Sequence, residues 1–214
     1  MRYDLVIFDN DGVLVDSEPI SNRLLAAYLT ELGHPTSYED SIRDYMGSAM
    51  HRVHDLVLER TGRRLPDDFD DVFHARVFEA FERELKPVPG AAHVLEKLTL
   101  DGTPYCVASS GSHERIRVGH RTTGLDKWFD DARVFSSEDV GRGKPAPDLF
   151  LHAAERTGVA PDRCVVVEDS ALGVRAARAA RMDVYGFTAM TPADRLTGAT
   201  RLFTDMGELA DLLA

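Results

Sequence analysis

The sequence predicts an α/β chain: a doubly wound, mostly parallel sheet with a helical segment inserted after its first strand. Two observations carry that expectation. Three short runs, Leu5–Phe8, Tyr105–Ala108 and Cys164–Val167, are apolar without interruption and rich in Val. Unbroken rather than alternating apolarity marks strands covered on both faces, as in a parallel sheet flanked by helices. Each run then gives way to small or acidic residues and a helical pattern, which is how β-α units read along a chain.

The remaining elements follow in order. Arg133–Phe135 and Val184–Phe187 are weaker strand candidates, with helical patterns over Pro147–Thr157 and Ala171–Arg181 between them. The stretch from Glu18 to Lys86 is different. It carries helical patterns near Ile20–Leu32, Ala49–Thr61 and Asp67–Leu85, broken at Gly33-His34-Pro35 and at Gly62 to Pro66, with no convincing strand. Pro87-Val88-Pro89-Gly90 punctuates its end. We therefore expect a core of residues 1–16 plus 87–214 and a helical insert of residues 17–86. A chain of 214 residues accommodates both.

Composition narrows the partners. Lys plus Arg number 25 against 36 Asp plus Glu, a formal charge of −11. That field repels nucleic acid and anionic membranes, and no Lys/Arg run makes a local exception. The opening residues show neither a signal peptide nor a span long enough for a bilayer. The two cysteines, Cys106 and Cys164, sit in apolar runs without zinc-ligand spacing. Buried free thiols in a reducing cytoplasm are the expectation, with a strand-to-strand disulfide as the open alternative. The chain is read as a monomer.

Four segments carry chemistry. Phe8-Asp9-Asn10-Asp11-Gly12 puts two carboxylates just past a buried strand, where open α/β sheets bind ligands, although Asx residues before Gly also make plain turns. Ala108-Ser109-Ser110-Gly111-Ser112-His113 ends a strand in hydroxyls and free backbone N–H groups at a helix start, suited to an anion. Ser112 reads equally as an N-cap. Gly143-Lys144-Pro145-Ala146-Pro147-Asp148 offers a lysine on a stiff turn; alone, such a lysine is commonly just solvated. Val167-Glu168-Asp169-Ser170 adds two carboxylates at another strand end. Like charges ~4 Å apart at an effective dielectric near 20 repel by roughly 4 kcal/mol per pair, so such a cluster calls for a cation. All-oxygen ligands favour Mg²⁺ over zinc or copper.

Taken in order, these segments, with Val13-Leu14-Val15-Asp16-Ser17-Glu18 completing the first, closely resemble the haloacid dehalogenase superfamily. The resemblance covers essentially the whole chain and is nearest to the branch of β-phosphoglucomutase and sugar-phosphate phosphatases with a helical cap. It implies a Rossmann-like core and a set of roles. Asp9 would attack phosphorus to form an aspartyl-phosphate, and Asp11 would protonate the leaving oxygen and then activate water. Ser109 and Lys144 would hold phosphoryl oxygens, assisted by Asn10, Asp11 and Ser110. Asp9, the Asp11 carbonyl and Asp169 would bind Mg²⁺, with Glu168 directly or through water. The dehalogenases lack an acid at the position of Asp11, so phosphoryl chemistry is expected. One departure is Arg181, where relatives carry Gly at a helix end that favours a left-handed residue.

The cap distinguishes hydrolysis from mutase chemistry. In β-phosphoglucomutase a cap loop around a central Gly carries Lys and Arg. Here Tyr45-Met46-Gly47-Ser48-Ala49-Met50 has methionines instead, and Ser21 replaces the hinge histidine. The expectation is hydrolysis of a small phosphorylated metabolite, with a phosphosugar mutase as the alternative. Ser17, Met46, Gly47, Ser48, Met50 and His113 are the substrate-facing candidates, and Val15–Ser17 and Pro87–Gly90 the hinges. A non-catalytic phospho-acceptor or phosphate-binding module is the alternative of another class, but receiver-like modules are much shorter and lack the insert. His51 and His54, three apart, lack a third metal ligand, and Asp67 to Asp71 lacks the glycine and closing Glu of a calcium loop. Trp128 and Phe129 read as core.

Overall fold

The computed structural model describes residues 2–46 and 50–213. It divides the chain into two compact units, one of residues 1–16 and 86–214, the other of residues 17–85.

The first unit is built on a six-stranded parallel sheet: β1 (Leu5–Phe8), β2 (Tyr105–Ser109), β3 (Val134–Ser136), β4 (Cys164–Glu168), β5 (Asp183–Phe187) and β6 (Arg201–Phe203), in spatial order β3-β2-β1-β4-β5-β6. The Val-rich runs form its centre, and every residue of β1, β2 and β4 is buried. The order reverses direction at β1, so the crevice beyond the carboxyl ends of β1 and its neighbours is where such a sheet binds ligands. Phe8 pairs in register with Val167 of β4 and Val107 of β2, which brings the residues after all three strands to one edge.

Two features of this unit were not expected from sequence. β6 was missed because its three residues sit at the sheet's edge with Arg201 and Leu202 exposed, leaving no apolar run to read. Trp128 is only half-buried: the turn after the helix His113–Thr123 directs Leu125 and Phe129 inward, and the Lys127 ammonium lies 4.0 Å from the centre of the indole. Cys106 and Cys164 are buried free thiols within the core that also holds Leu5, Ile7 and Phe150.

Helices of the second unit are α1 (Glu18–Glu31), α2 (Tyr38–Tyr45), α3 (Met50–Thr61) and α4 (Phe69–Glu84). α1 packs on α2 and α4. Tyr28 of α1 stacks on Phe69 of α4 at 4.9 Å, and Ser41 of α2 donates to Asn22 of α1 at 2.9 Å in a buried contact. α2 escaped the sequence reading because it is mostly polar. Its start is fixed by a capping box between Ser37 and Asp40. His54 donates to or accepts from Asp70 at 2.8 Å and meets Phe69 edge-on, a packing role.

The first unit resumes with α5 (Ala91–Leu100), α6 (His113–Thr123), α7 (Asp148–Thr157), α8 (Ala171–Ala179) and α9 (Leu209–Leu213). α8 ends in a left-handed residue, as the pattern around Arg181 suggested. Arg181 has φ of 61°, and the N–H of Met182 returns to the Ala177 carbonyl at 3.0 Å. No helix among the described residues is long and apolar enough to cross a membrane.

Candidate active site

β1 delivers Asp9 to the sheet edge with its backbone still paired to β4, its N–H donating to the Val167 carbonyl at 2.9 Å. The chain then turns tightly. The Asn10 carbonyl accepts from the N–H groups of Val13, Leu14 and Val15, while the Gly12 N–H donates to the Val15 carbonyl. Gly12 has φ of +77°, and the place where its Cβ would stand is taken by the Asp169 carboxylate. Glycine is therefore required twice at this position, for the turn and for the room.

Lys144 reaches this edge from the turn before α7. Its ammonium donates to Asp9 Oδ1 at 2.6 Å and to Glu168 Oε1 at 2.7 Å, and lies 4.8 Å from the centre of the Phe150 ring. The three side chains are nearly sealed from water, at 4% exposure for Lys144, 10% for Asp9 and 1% for Glu168. Glu168 spends its second oxygen on the Ser170 N–H at 2.7 Å. Its carboxylate occupies the space a Cβ on Gly173 would need, so the first turn of α8 is also shaped around this group.

Burial, chiefly, pushes the Asp9 carboxyl up to about 7; Lys144 opposes that shift and Glu168 adds to it. Burial works to lower Lys144, but Asp9 and Glu168 outweigh it and hold the ammonium charged. Carboxylate oxygens of Asp9, Glu168 and Asp169 lie within 4.8 Å of one another, all three residues buried. Lys144 meets Asp9 and Glu168, and Asp169 adds a further carboxylate beside them. A hard cation with oxygen ligands fits this donor set, and Gly12 keeps the space around Asp169 clear of side chain.

On the other side, β2 ends at Ser109, which is buried and whose Oγ accepts from the Gly111 N–H at 3.0 Å. Ser112 caps α6, its Oγ accepting from the Arg115 N–H at 3.2 Å. Asn10 is buried beneath, where its Oδ1 accepts from His120 Nε2 at 2.9 Å. Burial pushes His120 down to about 4, so the imidazole is neutral.

The structure thus brings together Asp9, Asn10, Asp11, Ser109, Lys144, Glu168 and Asp169 around one edge of the sheet. Ser110 follows Ser109 but is exposed. His113 is engaged elsewhere, its Nε2 with Asp139 at 2.8 Å and its N–H with Glu138 at 2.9 Å. Ser17, Met46 and Met50 belong to the helical unit, at the start of α1, just after α2 and at the start of α3. Gly47 and Ser48 lie outside the described residues.

Three contributors were missed from sequence. Arg115 pairs with Asp11, His120 anchors Asn10, and Gly173 makes room for Glu168. Arg115 had a readable signal: an arginine in the first turn of a helix opposes the helix dipole and needs a specific partner. His120 and Gly173 had none.

A family model for haloacid dehalogenase-like hydrolases matches residues 3–181. The chain belongs to that family. It is 32% identical over 189 residues to a 6-phosphogluconate phosphatase of Escherichia coli, covering 88% of this chain and 84% of that protein. It is 29% identical over 248 aligned positions to a β-phosphoglucomutase of Mycobacterium tuberculosis, covering 95% and 90%. Among solved structures, a haloacid dehalogenase-like protein of unknown function from Agrobacterium tumefaciens superimposes with a TM-score of 0.89 at 38% identity, covering 99% of this chain and 97% of that one.

Proposed function

We propose that this member of the family is a Mg²⁺-dependent phosphatase that hydrolyses a small phosphate monoester, a sugar phosphate or a related metabolite, through an aspartyl-phosphate on Asp9. The observation that carries the reading is Lys144 bridging Asp9 and Glu168 in a nearly dry site, with Asp169 alongside. A buried ammonium fixes the Asp9 carboxylate in place and works against the burial that favours its neutral form, so that its ionised form is available as the nucleophile.

The chemistry balances with this chain's residues. An Asp9 oxygen forms a bond to phosphorus as the bond from phosphorus to the leaving oxygen breaks, and Asp11 gives that oxygen a proton. Water then attacks phosphorus, Asp11 takes its proton, and inorganic phosphate leaves with Asp9 regenerated. Ser109, Lys144 and the backbone N–H groups of Asn10, Asp11 and Ser110 hold the phosphoryl oxygens. Asp9, the Asp11 carbonyl and Asp169 would hold Mg²⁺, with Glu168 close enough to contribute directly or through water. The cation supplies positive charge for the phosphoryl oxygens and relieves repulsion among the carboxylates.

The substrate class rests on the E. coli relative, named for a phosphorylated sugar acid. The test is a screen of phosphorylated metabolites with and without Mg²⁺. Phosphate release that needs the cation supports the reading; equal release with EDTA contradicts it. The mycobacterial relative favours a second reading, a phosphosugar mutase. With β-glucose 1-phosphate followed by ³¹P NMR, free phosphate is expected, and glucose 6-phosphate accumulating ahead of it would establish the mutase instead.

A further inference from the structure

Asp11 lies on a turn whose backbone is tied down, but that turn does not fix where its carboxyl group points. Arg115 supplies a constraint on that direction. Its Nη2 donates to Asp11 Oδ1 at 2.8 Å, with both side chains about four-fifths buried, at 22% and 21% exposure. Partial burial makes such a charged hydrogen bond stronger and more directional than a surface ion pair.

The arginine is itself held at both ends. Its N–H is bound by the capping Ser112 hydroxyl, which sets the start of α6. Its aliphatic stem crosses residue 111: a Cβ there would lie 3.1 Å from Arg115 Cδ and 3.4 Å from Ser109 Oγ. Glycine at 111 therefore lets the stem run beside the phosphate-binding serine and bring the guanidinium to Asp11. An arginine in a helix's first turn is unfavourable against the dipole, so the position is explained by its partner rather than by helix stability.

We propose that Arg115 is a positioning residue for Asp11, directing its carboxyl group toward the leaving oxygen. This rests on the reading of Asp11 as the proton donor given above. Arg115 touches no reacting atom in this scheme. Its effect passes through Asp11 and should scale with how much a substrate needs that proton.

The test is a series of aryl phosphates, p-nitrophenyl, phenyl and 4-methylphenyl phosphate, assayed with Mg²⁺. Their leaving groups differ in basicity while the phosphoryl group stays the same, and kcat/KM reports the step that forms the phosphoenzyme. Asp11→Asn should steepen the dependence on leaving-group basicity. Arg115→Met should steepen it in the same sense, losing about tenfold or more on 4-methylphenyl phosphate and no more than about threefold on p-nitrophenyl phosphate. Arg115→Lys should recover part of the loss, and the double variant should be no worse than Asp11→Asn alone. A uniform loss across the series for Arg115→Met and Arg115→Lys, with Asp11→Asn still steepening the slope, would overturn the positioning role. A slope unchanged by Asp11→Asn would instead overturn the proton-donor reading. If Arg115→Met does not fold, Arg115→Lys decides: an unchanged slope at reduced rate contradicts the proposal, a steepened slope supports it.

Discussion

Lys144 keeps 4% of its side chain exposed among the carboxylates of the sheet-bearing unit, whereas Arg76 and Glu31 of the helical unit pair at 38% and 54% exposure. The difference between the two lies in this buried group. In the helical unit, pairs such as Arg23 with Glu84 and Arg83 with Glu79 stand in solvent, where each contributes little to stability. The sheet-bearing unit has exposed pairs too, such as Arg163 with Asp4, but it also gathers a group of charges out of water at the ends of β1 and β4, where holding them costs desolvation energy. A fold tolerates that cost where the charges carry chemistry, which makes buried charge the better guide to function.

Breaking the buried cluster should give the largest effects. Asp9→Asn removes the nucleophile while nearly preserving shape, and steady-state assays should show turnover falling by at least about a thousandfold. Lys144→Met leaves Asp9 and Glu168 buried without their shared cation; urea unfolding should show a loss of about 3 kcal/mol, together with loss of activity. Gly173→Ala puts a methyl where the Glu168 carboxylate stands and should cost about 1–3 kcal/mol, with activity falling through the displaced Lys144 partner. A Gly173→Ala enzyme of normal turnover and melting temperature would show that Glu168 has freedom the packing denies it.

The helical unit should respond more mildly. The guanidinium of Arg43, then that of Arg60, lowers Asp44 from the ordinary 3.8 to about 2. A carboxylate whose folded value is depressed stabilises the fold above its unfolded value and loses that contribution as pH falls toward the folded one. Between about pH 4 and pH 2 the wild-type unit should therefore weaken, and Asp44→Asn should flatten that part of a melting-temperature profile. Smallest and opposite in sign, Arg181→Gly relieves a left-handed residue after α8 and should raise stability by about 1 kcal/mol in the same urea assay.

The two units also differed in how far the sequence could be read. Unbroken Val-rich runs announced β1, β2 and β4, and the carboxylates and serine following them were legible because a parallel sheet collects its strand ends at one edge. Arg181 was legible from a single expected glycine. β6 and α2 were not, since one is a three-residue edge and the other is held by a capping box rather than an apolar stripe. Arg115, His120 and Gly173 act through contacts between segments far apart in the chain, which no local pattern encodes. Specificity was the least legible. Its candidates Ser17, Met46 and Met50 are ordinary residues on helices, and Gly47 and Ser48 lie outside the described residues.

In the proposed cycle Asp9 carries the phosphoryl group during turnover. Acid-quenching the enzyme with Mg²⁺ and a turned-over phosphomonoester, followed by rapid acidic digestion and mass spectrometry, tests it directly. One phosphorylated peptide is expected, with the modification on Asp9. Phosphate on Asp11 or Ser109 instead would contradict it, as would turnover of p-nitrophenyl phosphate, whose leaving group needs little protonation, with no phosphopeptide when the second step is slowed by Asp11→Asn.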